Sequence, residues 1–244
     1  MRLIRIATFV FCSIFLLAFS PGELAAAQPS GFAVLVPVDP ASKISDNIYA
    51  YGLDASLAGA SGGSMVLLGG SGLNVQRLDG RGKRAGAPIA ITATTGFSYG
   101  GGLTTLAGGR VAVVYDSTPG AVSDMDIYVK VFDPDGSLVA ARQVSTIKKH
   151  SQLHPAVTAL SNGNFAVVWQ DRPDFPAIAR IRGRIVSPNG VLLGSEIAVN
   201  TGGLRADSPD VAAIGNGFAV AFEVGKKIFV QRFKLNGAVT GGAI

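Results

Sequence analysis

Four short segments of the chain are apolar at consecutive positions and share one register: Met65-Val66-Leu67-Leu68, Val111-Ala112-Val113-Val114-Tyr115, Phe165-Ala166-Val167-Val168-Trp169 and Phe218-Ala219-Val220-Ala221-Phe222. They recur at spacings of 46, 54 and 53 residues. Each follows a turn of small residues: Ser61-Gly62-Gly63-Ser64, Ala107-Gly108-Gly109-Arg110, Ser161-Asn162-Gly163-Asn164 or Gly215-Asn216-Gly217. Gly and Asn adopt the positive φ of a tight hairpin at little cost. A second landmark follows each segment, as Val75-Gln76-Arg77-Leu78-Asp79, Val129-Lys130-Val131-Phe132-Asp133, Arg182-Gly183-Arg184-Ile185-Val186 and Val230-Gln231-Arg232-Phe233-Lys234. The glycines Gly82, Gly136, Gly190 and Gly237 close these landmarks. A fixed period of this length marks a repeat architecture.

The third unit shows the repeat's content most clearly. Strands are expected at Pro155 to Leu160, Phe165 to Gln170, Ile178 to Val186 and Val191 to Val199, with Ser187-Pro188-Asn189-Gly190 as a turn. Four antiparallel strands in roughly 54 residues make a propeller blade. Consecutive rather than alternating apolar residues in the second strand fit a sheet covered on both faces by neighbouring blades. The predicted fold is therefore all-β, a β-propeller-like array of about four four-stranded antiparallel blades, with repeats at 46–97, 98–152, 153–206 and 207–244. Phe32 to Val36 read as a strand able to pair with the last repeat.

Several of these segments resemble a repeat of large exported bacterial proteins, some of them of the haemolysin-type calcium-binding class. The resemblance rests on Val167-Val168-Trp169, Gln231-Arg232-Phe233, Asp133-Pro134-Asp135-Gly136 and Gly194-Ser195-Glu196-Ile197-Ala198-Val199-Asn200-Thr201. It implies a propeller-like array on an exported or surface-exposed protein, usually of no assigned activity. The first repeat departs from the pattern, with Gly69 where the others carry an aromatic residue. With four units visible, the ring either closes within one chain, closes by self-association, or forms a partial array.

The N-terminus adds a destination. Arg2 and Arg5 precede an apolar run from Ile6 to Phe19, Pro21 breaks it, and Ala25-Ala26-Ala27 offers an A-x-A cleavage site. This predicts a signal peptide at 1–27 and a secreted or periplasmic repeat domain at 28–244, not embedded in a membrane. The single cysteine, Cys12, leaves with that peptide, so the mature chain has no disulfide, thiolate metal site or cysteine nucleophile. Thirty-two glycines, 48% hydrophobic residues and only 15% charged ones argue for many tight turns between apolar strands. The net charge of +5 is dispersed, without the basic stripe that nucleic-acid binding needs.

Candidate chemistry thins out once the repeats are aligned. Trp169 shares its register with Tyr115 and Phe222, which points to core between blades rather than to sugar stacking. Ser61 lies in a G-x-S-x-G sequence, but a strand follows it where a nucleophile elbow requires a helix. Asp133-Pro134-Asp135-Gly136 has carboxylates suited to calcium, the one cofactor considered, yet its equivalents are neutral or basic and read as turns. His150 and His154 fall on a connection between strands rather than on a helix, so their spacing does not make a metal site.

One end of the array remains of interest. In an up-and-down blade, the loops joining strands two and three emerge beside the connections between blades, and here both sets are long. The first set carries Asp116, Asp124, Asp126, Asp171, Asp174 and Glu223, and the second His150, His154 and Arg205. The leading expectation is a non-enzymatic binding or interaction protein that takes a glycan or a cell-surface protein on this rim. The alternatives are a carbohydrate-active hydrolase or lyase using loop carboxylates, and a purely structural array.

Overall fold

In the computed structural model the described residues are 57–60, 63–68, 72–92, 98, 100–118, 124–147, 150–173 and 178–244. The expected signal peptide, Phe32 to Val36, Ser61, Gly69 and Asp174 lie outside them. Four four-stranded antiparallel sheets follow one another along the chain. Blade one holds β1 (Leu57–Ala60), β2 (Gly63–Leu68), β3 (Asn74–Asp79) and β4 (Ile89–Ala90). Blade two holds β5 (Gly101–Thr105), β6 (Val111–Ser117), β7 (Asp126–Phe132) and β8 (Leu138–Gln143). Blade three holds β9 (Ser151–Ala159), β10 (Phe165–Arg172), β11 (Arg180–Val186) and β12 (Leu192–Ala198). Blade four holds β13 (Ala206–Ile214), β14 (Gly217–Val224), β15 (Lys227–Lys234) and β16 (Val239–Thr240).

The same hairpin closes strands three and four in every blade. The amide N–H groups of Gly82, Gly136, Gly190 and Gly237 donate to the carbonyls of Asp79, Asp133, Ser187 and Lys234. The φ of these glycines runs from 74° to 90°, the left-handed conformation that a side chain disfavours. The pairs Val111↔Phe132, Phe165↔Val186 and Phe218↔Phe233 align the blades residue by residue. They shift the third landmark by one position from its sequence reading. Gly183-Arg184-Ile185-Val186-Ser187 is the segment in register, because Arg184 rather than Gly183 stands where Gln76 and Gln231 do. All three long polar side chains hold a glycine carbonyl ten residues on, those of Gly86, Gly194 and Gly241.

Both faces of each interior second strand are buried. Val111, Val113 and Tyr115 pack on blade one while Ala112 and Val114 pack on blade three. Phe165, Val167 and Trp169 face blade two, and Ala166 and Val168 face blade four. Burying large apolar side chains, at about 1.5 to 3 kcal/mol each, is what joins the blades. The innermost strands β1, β5, β9 and β13 touch in that order. The hairpin glycines complete the fit: an added Cβ on Gly190 would lie 2.5 Å from Ala140 Cβ, and one on Gly237 would lie 2.6 Å from Ile197 Cδ1.

Candidate functional site at the ends of the inner strands

The inner strands β9 and β13 carry the same irregularity. His154 has φ 53° and Ser208 φ 50°, and each precedes a buried proline, Pro155 or Pro209. Non-glycine residues seldom take this conformation, and a following proline disfavours helical backbone further. The pairing shifts across each site, between Val168 and Gln170 in blade three and between Asp207 and Asp210 in blade four. Such bulges re-aim side chains and cluster near functional sites. The His154 side chain is thereby exposed, and its backbone N–H points at the preceding blade.

There it meets Asp116. This carboxylate is fully buried, and its Oδ2 accepts from His154 N at 3.1 Å. Its Oδ1 accepts from Gly100 N and Ser98 Oγ, both at 3.0 Å. Gln170 occupies the same register in blade three and donates to Asp207 on β13, whose other oxygen binds Arg205 at 2.8 Å. In both cases the residue after the strand-two aromatic ties its blade to the inner strand of the next.

Asp171, the next residue of β10, faces the other way and is 4% exposed. Its Oδ2 accepts from Arg182 Nε at 2.6 Å, and Gln152 Nε2 lies 3.5 Å from its Oδ1. Arg182 also approaches Glu196 Oε2 at 3.6 Å, and Glu196 Oε1 accepts from both the backbone and the hydroxyl of Thr146 at 2.6 Å. Two carboxylates of blade three thus share one guanidinium of the same blade, and the bonds from Glu196 to Thr146 tie the trio to the connection that follows blade two. Charge-assisted bonds of this kind are short and strong, and they offset the cost of burying the charges.

The rim read from sequence is therefore not mainly a set of loops. Asp116, Asp126, Asp171 and Glu223 all lie within strands, and Asp116, Asp126 and Asp171 are buried. Asp126 accepts from Ser145 Oγ at 3.1 Å, and that hydroxyl accepts the Ile127 N–H at 3.0 Å, a capping role. Glu223 is half-buried, and the connection beyond it is the two-residue turn Gly225-Lys226 rather than a long loop. His150 precedes β9, and its carbonyl accepts from Gln152. Asp124 and Arg205 are exposed. The structure brings Asp116, His154 and Asp171 together along β9 and leaves Asp124 and Arg205 outside that group. Sequence reading missed Gln152, Gln170, Arg182 and Glu196. Of these, Glu196 stands within the Gly194 to Thr201 segment on which the family resemblance rests.

No protein-family model matches the sequence, and neither does any curated protein. Solved structures do resemble it. An α-L-arabinofuranosidase from Fusarium graminearum is 13% identical, with 82% of this chain and 68% of that one covered and a TM-score of 0.57. An endo-arabinase from Bacteroides thetaiotaomicron is 10% identical, with 82% and 84% covered and a TM-score of 0.54. The chain spans 60% of a Bacteroides caccae protein of unknown function, covering 78% of itself, at 16% identity and a TM-score of 0.47. The fold is β-propeller-like.

The non-enzymatic binding protein expected from the sequence is corrected here, since most of the solved structures that resemble the chain are glycoside hydrolases, the class named as its alternative. That expectation rested on the lack of a linear catalytic motif. A propeller assembles carboxylates from separate blades, so no linear motif need exist. Among the described residues no helix is long and apolar enough to cross a membrane, and no three His, Cys, Asp or Glu side chains group as metal ligands.

Proposed function

We propose that this protein is a carbohydrate-active enzyme, a glycoside hydrolase acting on arabinose-containing glycans at the long-loop ends of blades two and three. The observation that carries the proposal is the convergence of two carboxylates from different blades on one inner strand. Asp116 is held there by the His154 N–H, and Asp171 by Gln152 and Arg182. Glycoside hydrolysis calls for two carboxyl groups about 5 to 10 Å apart across a cleft. Asp171, held in place by the Arg182 guanidinium and the Gln152 amide, takes a proton from water as that water adds to the anomeric carbon. The departing oxygen takes its proton from a second carboxyl group, Asp116 or Glu223. The exposed side chain of His154, whose N–H binds Asp116, is assigned the contact to the sugar. The resemblance to arabinan-acting folds supports the substrate class, and a leader at 1–27 would deliver the enzyme to polymers outside the cell.

Release of reducing sugar from arabinan and arabino-oligosaccharides tests the reading. Wild type is expected to turn these over, and Asp171→Asn to lose at least about a hundredfold in kcat, the usual contribution of a positioned base. Of Asp116→Asn and Glu223→Gln, the variant with the larger kcat loss marks the acid. No turnover by wild type, or three variants as active as it, would refute the proposal.

A further inference from the structure

Blade four repeats, on its outward face, the surface by which the earlier blades bind their successors. Ile127, opposite Asp116, and Ile181, opposite Gln170, are fully buried under the next blade. Their counterpart Ile228, opposite Glu223, is 56% exposed. Ile89 and Ile197 reach the hairpin glycines Gly136 and Gly237 of the following blade, 3.0 and 2.6 Å from where a Cβ would stand. Ile244 pairs with Val230 in the register in which Ile197 pairs with Gly183, yet it is 78% exposed. Between them Ala219 and Ala221 continue the apolar surface that Ala166 and Val168 present to blade four. Among the described residues nothing covers this face. A contiguous apolar patch so patterned marks an interaction surface.

We propose that residues 31–51 of the same chain occupy it, supplying the second and third strands of a further blade. Gly31-Phe32-Ala33-Val34 repeats Gly217-Phe218-Ala219-Val220. In β14, Phe218 and Val220 are the residues that pack on the preceding blade. Ile48 follows Phe32 by the interval that separates Ile127 from Val111 and Ile181 from Phe165, and Asn47-Ile48-Tyr49 parallels Asp126-Ile127-Tyr128. The segment therefore carries both halves of the pattern that a successor blade needs: Phe32 and Val34 meet Ile228 and Ile244 as Phe218 and Val220 meet blade three. A second copy of the chain is the rival occupant.

Cys12 is the sequence's single cysteine, so in a Cys12→Ser background one introduced thiol reports on coverage. In the full chain at low concentration, maleimide labelling of Ile228→Cys should run at least about tenfold slower than that of Leu204→Cys, a burial-dependent protection. Leu204 is 66% exposed in the connection before β13. Adding Phe32→Asp, or Val34→Ala where the aspartate disrupts folding, should bring the two rates together. Equal rates in the unmodified background, protection that the Phe32 and Val34 variants leave intact, or protection that disappears on dilution along with a dimeric mass would overturn the proposal.

Discussion

Tyr115 and Trp169 stand at one position of the repeat and illustrate what it demands. Tyr115 stacks on Tyr128 at 5.7 Å, and burial pushes its phenol up to about 12 from an ordinary 10.0. A folded pKa above the unfolded one means that this contribution is complete below about pH 10 and is lost as pH rises towards 12. Urea unfolding at pH 8, 10 and 11 should show stability falling along that limb, and Tyr115→Phe should flatten it. Trp169 is fully buried, and its Nε1 finds no partner among the described residues. Trp169→Phe should therefore cost far less than Trp169→Ala, for which about 3 to 5 kcal/mol is the usual loss. Equal losses in thermal melts would contradict an apolar packing role. Repeat alignment made this role legible in the sequence, since an aromatic at three equivalent positions is core. The buried aspartates were not legible. A charged residue at a strand's end looks like the start of a loop, and the side chains that hold Asp171 come from Arg182 and Gln152 on other strands.

At the scale of the element, hairpin and bulge pull in opposite directions on the backbone. Gly237 and Gly163 both have positive φ, 84° and 85°, but only Gly237 faces a neighbour within 4 Å. Gly163→Ala should cost about 1 kcal/mol, the backbone penalty alone. Gly237→Ala should cost about 1 to 3 kcal/mol more, because its methyl group must displace Ile197. Matching losses in denaturant titrations would mean that the hairpins do not interlock. His154 is the reverse case, a side chain held where glycine would be more comfortable. His154→Gly keeps the N–H bonded to Asp116, so melting should show no loss of stability while turnover of arabino-oligosaccharides falls. A variant that melts early would show that the imidazole serves the fold instead. The strands themselves were legible from the apolar runs and the turn glycines. The bulges were not, because His154 and Ser208 share no side-chain chemistry and are alike only in φ and in the proline that follows.

Across the whole molecule, the blades are joined by packing at their centres and by polar ties at their ends. Arg182→Ala should destabilise by about 3 to 5 kcal/mol, because it leaves Asp171 and Glu196 charged without their shared partner. A loss below 1 kcal/mol would show that solvent screens the trio. The number of sheets and their order could be read from the period, since one unit repeated four times leaves few other architectures. The site could not, because Asp116, His154 and Asp171 come from two blades and meet only through the register of β9. The most direct test of the account is calorimetric titration of arabinobiose into wild type, His154→Ala and Arg110→Ala. Arg110 ties Asp133 to Asn189 among the hairpins at the opposite end and serves as the control. Saturable heat from wild type and Arg110→Ala, abolished in a folded His154→Ala, is the predicted result. No heat from wild type, or equal binding by all three proteins, would contradict a glycan site at the ends of the inner strands.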